Sequence, residues 1–231
     1  MSSHTTVVLA HGAWADGSSW GKVISGLDAA GVRAVTAPLP LTSLPDDIAA
    51  LDRTLEHVAG PVVLAGHAYA GGVIGSTKSA SVRALVYVAA LAPEEGETVG
   101  EVFSRGTPHP SAPVLAPDAH GFIWLPDEAF TAAFAHRALP HEQALLRAVQ
   151  RPISVACITT PVGRPLWRDR PSWYLLAEED RMIPAENQRF MADRMGATVR
   201  VHPVDHTPLV TAPDLVVDLL LEVVNSPAGR S

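Results

Sequence analysis

The chain has 231 residues, 47% of them hydrophobic and 18% charged, which is enough for one large domain with a continuous buried core. Its 17 lysines and arginines are scattered and are outnumbered by 24 aspartates and glutamates, which excludes the basic patch of a nucleic-acid-binding protein. No signal-peptide pattern and no apolar run near the roughly 20 residues that cross a bilayer is present, so we expect a cytoplasmic protein with no membrane partner.

Six short runs rich in Val, Leu and Ile predict strands that are buried on both faces. In chain order, these runs begin at Thr5, Arg33, Pro61, Ala84, Ser172 and Thr198. Most of them are separated by segments with helical spacing of apolar residues, several ended by glycine. These segments are residues 18–31, 44–60, 70–80 and 184–197. The alternation predicts an α/β fold with a mostly parallel six-stranded sheet flanked by helices.

The alternation breaks between about residues 93 and 170. Two helix-like stretches, residues 126–139 and 142–150, lie there among proline-rich connections. A connection of this length is normally functional, and open α/β sheets bind ligands at the carboxyl ends of their strands. We therefore expect a single domain over residues 1–231, with a core of about 1–92 and 171–231 and an inserted helical cap. A helical cover with no binding role is the alternative.

A strand that turns directly into a helix is predicted around Ala68. Small residues flank this position, with Gly66 two residues before it and Ala70 two residues after it. This is the steric pattern of a nucleophile elbow, where the central residue takes a strained backbone and its neighbours pack closely. Alanine has no hydroxyl and cannot form an acyl-enzyme. The pattern thus predicts an elbow without its reactive atom.

Four segments together resemble the α/β-hydrolase superfamily, and within it the small esterases that include plant methylesterases and hydroxynitrile lyases. They are HGAW at residues 11–14, the elbow at 66–71, AEEDRMIP at 177–184 and VDHTPLVTAP at 204–213. The resemblance covers nearly the whole chain and implies an α/β-hydrolase fold with a helical cap.

The resemblance implies that His206 is the general base and that Asp180 is the acid that orients it. With Ala68 in the nucleophile position, the three residues follow the order nucleophile, acid, base that this fold uses. A carboxylate on one imidazole nitrogen fixes the tautomer and stabilises the imidazolium that forms when the other nitrogen takes a proton. Three other carboxylates remain alternatives for the acid: Glu94, Glu178 and Glu179.

The expected oxyanion hole consists of the backbone N–H groups of Ala13 and Tyr69, neither of which depends on a serine. Six further residues are expected to bind substrate: His11, Gly12, Trp14, His67, Phe122 and Trp124. The aromatic ones would line an apolar pocket for a small ester, lactone or carbonyl compound, with core packing as the alternative for Phe122 and Trp124. The expected partner is a small-molecule substrate, and neither a metal nor a cofactor is expected.

Three functions compete at this point. In the first, His206 and Asp180 perform acid–base chemistry without a nucleophile, in a lyase, isomerase, hydration or cofactor-free oxygenation reaction. In the second, the chain is a carboxylesterase or lactonase whose serine was replaced by alanine, although Ala70 also departs from the usual glycine. In the third, it is a catalytically inactive, ligand-binding relative. The first reading is favoured, because His206, Asp180 and the HGAW loop are all present.

Overall fold

A computed structural model describes residues 5–230; residues 1–4 and 231 of the predicted domain lie outside this range. The strands are β1 (Thr6–Ala10), β2 (Ala34–Ala37), β3 (Val62–His67), β4 (Val82–Val88), β5 (Phe122–Ile123), β6 (Ile153–Ser154), β7 (Ser172–Ala177) and β8 (Thr198–His202). Six of them form one sheet in the order β2-β1-β3-β4-β7-β8, and every pairing in it is parallel. The predicted six-stranded parallel sheet is confirmed.

The burial of the strands follows their place in the sheet. In the central strands β1 and β3, every residue is buried, as their runs of Val and Leu predict. The expectation of burial on both faces is wrong for β8, where Thr198, Arg200 and Val201 are exposed. β8 is an edge strand with a neighbour on one side only, so less of its surface is covered.

Helices cover both faces of the sheet. They are α1 (Gly21–Ala29), α2 (Leu44–Glu56), α3 (Ala70–Ser76), α4 (Val99–Phe103), α5 (Asp127–Ala129), α6 (Pro140–Ala148), α7 (Val155–Thr159), α8 (Ala185–Met195), α9 (Pro208–Thr211), α10 (Pro213–Asn225) and α11 (Pro227–Arg230). Two 3-10 helices span Gly17–Trp20 and Leu166–Arg168. The long helix α10, which packs against α1 and the sheet, was not among the predicted helices. Its signals were a proline and an aspartate in the first turn, followed by apolar residues at helical spacing.

The chain leaves the sheet after Val88 and rejoins it at Ser172. In between lie α4 to α7 and the antiparallel pair of β5 and β6, a pairing that was not predicted. The predicted helix over residues 126–139 is α5 followed by a π-helical turn over Phe130–Phe134. We call residues 93–170 the cap segment. No helix among residues 5–230 is long and apolar enough to cross a membrane.

Candidate active site

The loops at the carboxyl ends of the sheet strands contain all of the strained non-glycine backbone within residues 5–230. Positive φ angles occur at Trp14 (57°), Leu41 (60°), Ala68 (49°) and Ala89 (44°), in the loops that follow β1, β2, β3 and β4. Each such residue costs on the order of 1–3 kcal/mol and persists only where the surrounding structure determines it. Strain of this kind gathers at functional sites, which directs attention to this edge of the sheet.

Ala68 lies at the tip of the turn between β3 and α3. Its carbonyl accepts hydrogen bonds from the backbone N–H of Leu91 (2.9 Å) and of Gly71 (3.1 Å). A Cβ atom on Gly71 would lie 2.1 Å from the Leu91 carbonyl oxygen, and one on Gly66 would lie 3.0 Å from the Ala70 carbonyl oxygen. Glycine is therefore required at position 71 and favoured by a tight contact at position 66, whereas alanine is accommodated at position 70.

His206 and Asp180 form a buried pair. Nδ1 of His206 donates to Oδ2 of Asp180 over 2.8 Å, and both side chains are almost fully shielded from solvent. The carboxylate also accepts from the backbone N–H groups of Met182 (2.7 Å) and Ile183 (2.8 Å) and from the amide of Gln188 (2.9 Å). Since Nδ1 carries the proton in this arrangement, Nε2 is the unprotonated nitrogen that can accept one.

Two neighbours hold the loop that carries His206. Oδ1 of Asp205 accepts from the hydroxyl of Thr211 (2.6 Å), and Oδ2 accepts from the backbone N–H of Arg137 (3.0 Å) in the cap segment. His67 donates from Nε2 to the carbonyl of His206 (2.7 Å). Burial lowers the pKa of His67 to about 3, which keeps its ring neutral. His67 thus supports the loop instead of lining the cavity described below.

The other candidate acids lie in different surroundings. Glu94 forms an ion pair with Arg168. Glu178 and Glu179 are both exposed, and Glu179 pairs with another arginine. Among the described carboxylates, only Asp180 bonds to the ring of His206.

The backbone N–H groups of Ala13 and Tyr69 are free to bind a ligand. Ala13 is 6% exposed and Tyr69 is 3% exposed, yet neither N–H donates to any group within residues 5–230. Buried backbone donors without a partner are rare in proteins. Both residues line the same cavity as Ala68 and His206. The two N–H groups are therefore suited to donating hydrogen bonds to a ligand oxygen there.

The cavity beside Ala68 has a volume of about 240 Å³, and we call it the inner cavity. Its polar side chains belong to Tyr69, Ser104 and His206; its other lining residues are Ala13, Trp14, Ala68, Leu91, Val99, Gly100, Phe103, Leu115, Ile123, Ile153, Ile158, Met182 and Ile183. The hydroxyl of Tyr69 donates to the buried carboxylate of Asp47 (2.7 Å). No Lys, Arg, Asp or Glu among residues 5–230 lines the cavity, so its wall is almost entirely apolar.

The HGAW loop supports this site in three ways. His11 accepts the backbone N–H of Leu39 at Nε2 (3.2 Å), and burial lowers its pKa. A Cβ on Gly12 would lie 3.0 Å from Cβ of Ala68, so glycine allows the loop to approach the elbow. Trp14 lines the inner cavity. Of the three residues, only Trp14 is in the wall; His11 and Gly12 are not among the lining residues, and their contact with substrate stays a prediction.

Phe122 and Trp124 lie outside the wall of the inner cavity, which corrects their predicted role. The residue between them, Ile123, lines it instead, because successive side chains of an extended segment point to opposite sides. Trp124 is 51% exposed, and its indole N–H donates to Asp118. The backbone carbonyl of Ile123 accepts the indole N–H of Trp14 (2.9 Å), which connects this part of the cap segment to the HGAW loop.

Comparison with known proteins decides the family. Residues 7–219 match the alpha/beta hydrolase family. The chain belongs to the alpha/beta hydrolase family. It is 26% identical over 262 aligned residues to salicylic acid-binding protein 2 of Nicotiana tabacum, covering 94% of this chain and 96% of that protein.

Solved structures show the same fold. A pyrethroid hydrolase from Sphingobium faniae JZ-2 superposes with a TM-score of 0.82 at 21% identity, over 97% of this chain and 99% of that one. An H243A variant of tomato methylketone synthase I, complexed with β-ketoheptanoate, has a TM-score of 0.81 at 16% identity, over 96% and 98% of the two chains. The predicted superfamily is confirmed.

Sequence reasoning missed the part of this α/β hydrolase that closes the inner cavity from the cap segment. Val99, Phe103, Leu115, Ile153 and Ile158 line it from that side. Short helices α4 and α7 position three of them, and a capping box at Thr98 fixes the start of α4. That Thr-x-x-Glu pattern at residues 98–101 was the one local signal in the sequence for α4.

Proposed function

We propose that this α/β hydrolase performs acid–base chemistry on a small, largely apolar ester or carbonyl compound without a serine nucleophile. The observation that carries the proposal is the pairing of Nδ1 of His206 with Asp180 over 2.8 Å beside a cavity that also holds the methyl group of Ala68. In this proposal His206 is the base, Asp180 orients it, and the backbone N–H groups of Ala13 and Tyr69 bind the substrate oxygen. An alcohol at position 68 is the missing part.

The reaction begins with proton transfer to Nε2 of His206. The proton comes from a carbon next to the substrate carbonyl or from a water that attacks an ester. Asp180 stabilises the imidazolium that results, since its carboxylate already holds Nδ1–H. The backbone N–H groups of Ala13 and Tyr69 stabilise the negative charge that develops on the carbonyl oxygen. No covalent enzyme intermediate is required in either case.

The strained backbone at Ala68 supports this mechanism. With φ at 49°, Ala68 turns the chain sharply, and α3 begins two residues later. The turn leaves the N–H of Tyr69 without a protein acceptor. That donor serves an oxyanion whether the attacking group is serine, water or a carbanion. The elbow therefore has a role even where its central residue has no hydroxyl.

The lining of the inner cavity supports a neutral substrate. A carboxylate or ammonium group there would lose its hydration without gaining a charged partner, at a cost of several kcal/mol. The carbonyl oxygen of an ester or ketone is different, because the backbone N–H groups of Ala13 and Tyr69, which have no acceptor within residues 5–230, can donate to it. We therefore assign the site to uncharged compounds.

The competing function is ester hydrolysis by a serine at position 68, where this chain has alanine. The names of its relatives, which include a hydrolase of pyrethroids, favour hydrolysis. A knockout of an ordinary esterase keeps its binding site and loses roughly a millionfold in turnover. An inactive ligand-binding relative is the third candidate. Restoring the serine separates the three.

The test compares the unaltered chain with Ala68→Ser, His206→Ala and the double variant. Each is assayed with p-nitrophenyl butyrate and with a panel of neutral ketones, lactones and methyl esters, to which β-ketoheptanoate is added as a charged carbonyl compound. Our proposal predicts that the unaltered chain turns over at least one panel compound and that His206→Ala abolishes this. An inert chain whose Ala68→Ser variant hydrolyses the ester indicates a knockout instead. Saturable binding that is indifferent to His206→Ala, without turnover in any variant, indicates a binding protein.

A further inference from the structure

A second cavity lies directly beside the inner one. It has a volume of about 150 Å³, and we call it the outer cavity. The two share four lining residues: Phe103, Ser104, Leu115 and Met182. The remaining wall of the outer cavity is formed by Gly106, Pro108, Ala112, Pro113 and Pro184. The shared residues make the two cavities neighbours, and His206 lines the inner one.

The sizes indicate that the inner cavity is only part of a site. Small-molecule sites in proteins typically have volumes of roughly 300–1,000 Å³. The inner cavity, at about 240 Å³, falls below this range, and the addition of the outer cavity, at about 150 Å³, brings the total into it. A ligand of ordinary size that has its reacting group at His206 therefore needs room beyond the inner cavity.

The chemistry of the outer cavity distinguishes it from other depressions on the surface. Its lining contains prolines, Phe, Leu, Met and Ala, and Ser104 is the single polar side chain that the described part of the chain contributes to it. By contrast, Glu97, Glu101 and Arg105 line one nearby depression, and Arg33, Arg53 and His57 line another. The outer cavity therefore suits a hydrocarbon chain and offers nothing to a charged group.

We propose that the outer cavity binds the apolar tail of the substrate. This inference rests on the proposed function, in which the substrate carbonyl lies between His206 and the backbone N–H groups of Ala13 and Tyr69. The tail then passes between Phe103, Leu115 and Met182 into the outer cavity. The substrate class is thus a neutral carbonyl compound that carries a slender, extended apolar chain, in preference to a compact one.

Unbranched 2-alkanones are suitable probes, because they have a neutral carbonyl and cannot be hydrolysed. Each methylene that leaves water tightens binding by about threefold to fourfold. We expect the dissociation constant to fall by that factor per carbon from 2-pentanone towards 2-undecanone, as measured by calorimetric titration of the full chain. The improvement should stop once the tail fills the outer cavity.

Ala112→Trp is the deciding variant, because Ala112 lines only the outer cavity. Its backbone N–H already bonds to the carbonyl of His109, so the larger side chain leaves that turn intact. We expect 2-undecanone to bind at least tenfold more weakly and 2-pentanone to bind as before. Val114→Trp is the matched control, since Val114 is 92% exposed in the same loop and should leave the whole series unchanged.

Equal losses for short and long ketones in Ala112→Trp, or no loss for any of them, would overturn the proposal. If Ala112→Trp fails to fold, Ala112→Leu provides a smaller obstruction, and a crystal structure of the unaltered chain with 2-undecanone must show the alkyl chain beside Pro113 and Pro184. The same titrations in His206→Ala keep the two proposals apart. If the unaltered protein turns over no compound but its affinity still depends on the length of the alkyl chain, the subsite is supported and the proposed chemistry is rejected. His206-dependent turnover with no effect of Ala112→Trp does the reverse.

Discussion

The two sides of the inner cavity are built differently. On the sheet side, buried polar groups hold one another in place, and Asp180 alone accepts four hydrogen bonds. On the cap side, the wall consists of apolar side chains such as Phe103, Leu115 and Ile158, whose contacts are not directional, with Ser104 as the polar exception among the described residues. Directional bonds fix atoms within tenths of an ångström, whereas apolar contacts specify shape and volume. We therefore propose that the sheet side performs the chemistry and that the cap side selects the compound.

The largest effect is expected from Asp180→Asn on the sheet side. An amide N–H in place of Oδ2 would face Nδ1 of His206, which favours the other tautomer and removes the base. We expect turnover of the panel compound to fall by about 10⁴-fold. Glu179→Gln, one residue away and exposed, is the matched control and should retain full activity. A loss of less than tenfold in Asp180→Asn would show that Asp180 does not orient the base.

Gly71→Ala should disrupt the elbow itself. The added methyl group would lie 2.1 Å from the Leu91 carbonyl oxygen, so the turn has to move. We expect the free energy of unfolding to fall by about 3 kcal/mol in urea denaturation, the upper end of the usual cost of overpacking. Gly21→Ala is the control, because nothing lies within 4 Å of a Cβ at that helical position. Equal stabilities for the two variants would contradict the close packing at the elbow.

The difference between the sheet side and the cap side of the inner cavity also explains which parts of the molecule could be predicted from the sequence. The six sheet strands and the elbow are determined by local patterns, namely apolar runs and small residues around Ala68, so they were predicted close to their observed bounds. His206 and Asp180 were found through their place at strand ends in a recognisable order. These features depend on the order of residues and on neighbours in the sequence, and both can be read from a single sequence.

The shape of the cavity wall on the cap side depends on contacts that cannot be read from the sequence. Phe122 and Trp124 were predicted to line the site, and Ile123 does so instead. That outcome depends on which way the two-residue strand β5 faces, and an aromatic-rich segment fits either orientation. The burial of a residue such as Phe103 likewise depends on packing between distant segments.

Stability at acidic pH should reveal the supporting role of His67 below the loop that carries His206. Its pKa is lowered to about 3 in the folded chain, against an ordinary value of 6.5. Between these values the unfolded chain binds a proton that the folded chain excludes, so stability falls as the pH falls below 6.5. We expect the unaltered chain to lose about 2 kcal/mol more than His67→Gln between pH 7 and pH 5. Identical losses would mean that His67 takes up its proton in the folded chain.

The smallest effect is expected on the cap side, from Phe103→Ala. Phe103 lines both cavities, so this change widens the proposed route of the substrate tail and removes apolar contact with the ligand. We expect 2-nonanone to bind about tenfold more weakly, equivalent to ~1.4 kcal/mol, while the pH dependence of turnover stays unchanged. Leu145→Ala, at an exposed position of the cap segment, is the control for calorimetric titration. A changed pH profile in Phe103→Ala would show that the cap side also contributes to the chemistry.

The most direct test of His206 as a base is the exchange of the α-protons of 2-heptanone for deuterium in D₂O, monitored by NMR. The reaction needs no serine and no knowledge of the natural substrate, because it reports only the removal of a proton from carbon and the stabilisation of the enolate. We predict that the unaltered chain accelerates exchange above the buffer rate and that His206→Ala abolishes the acceleration. Exchange at the buffer rate with the unaltered chain, or equal acceleration by His206→Ala, would contradict the account of His206 as the base that removes a proton from carbon.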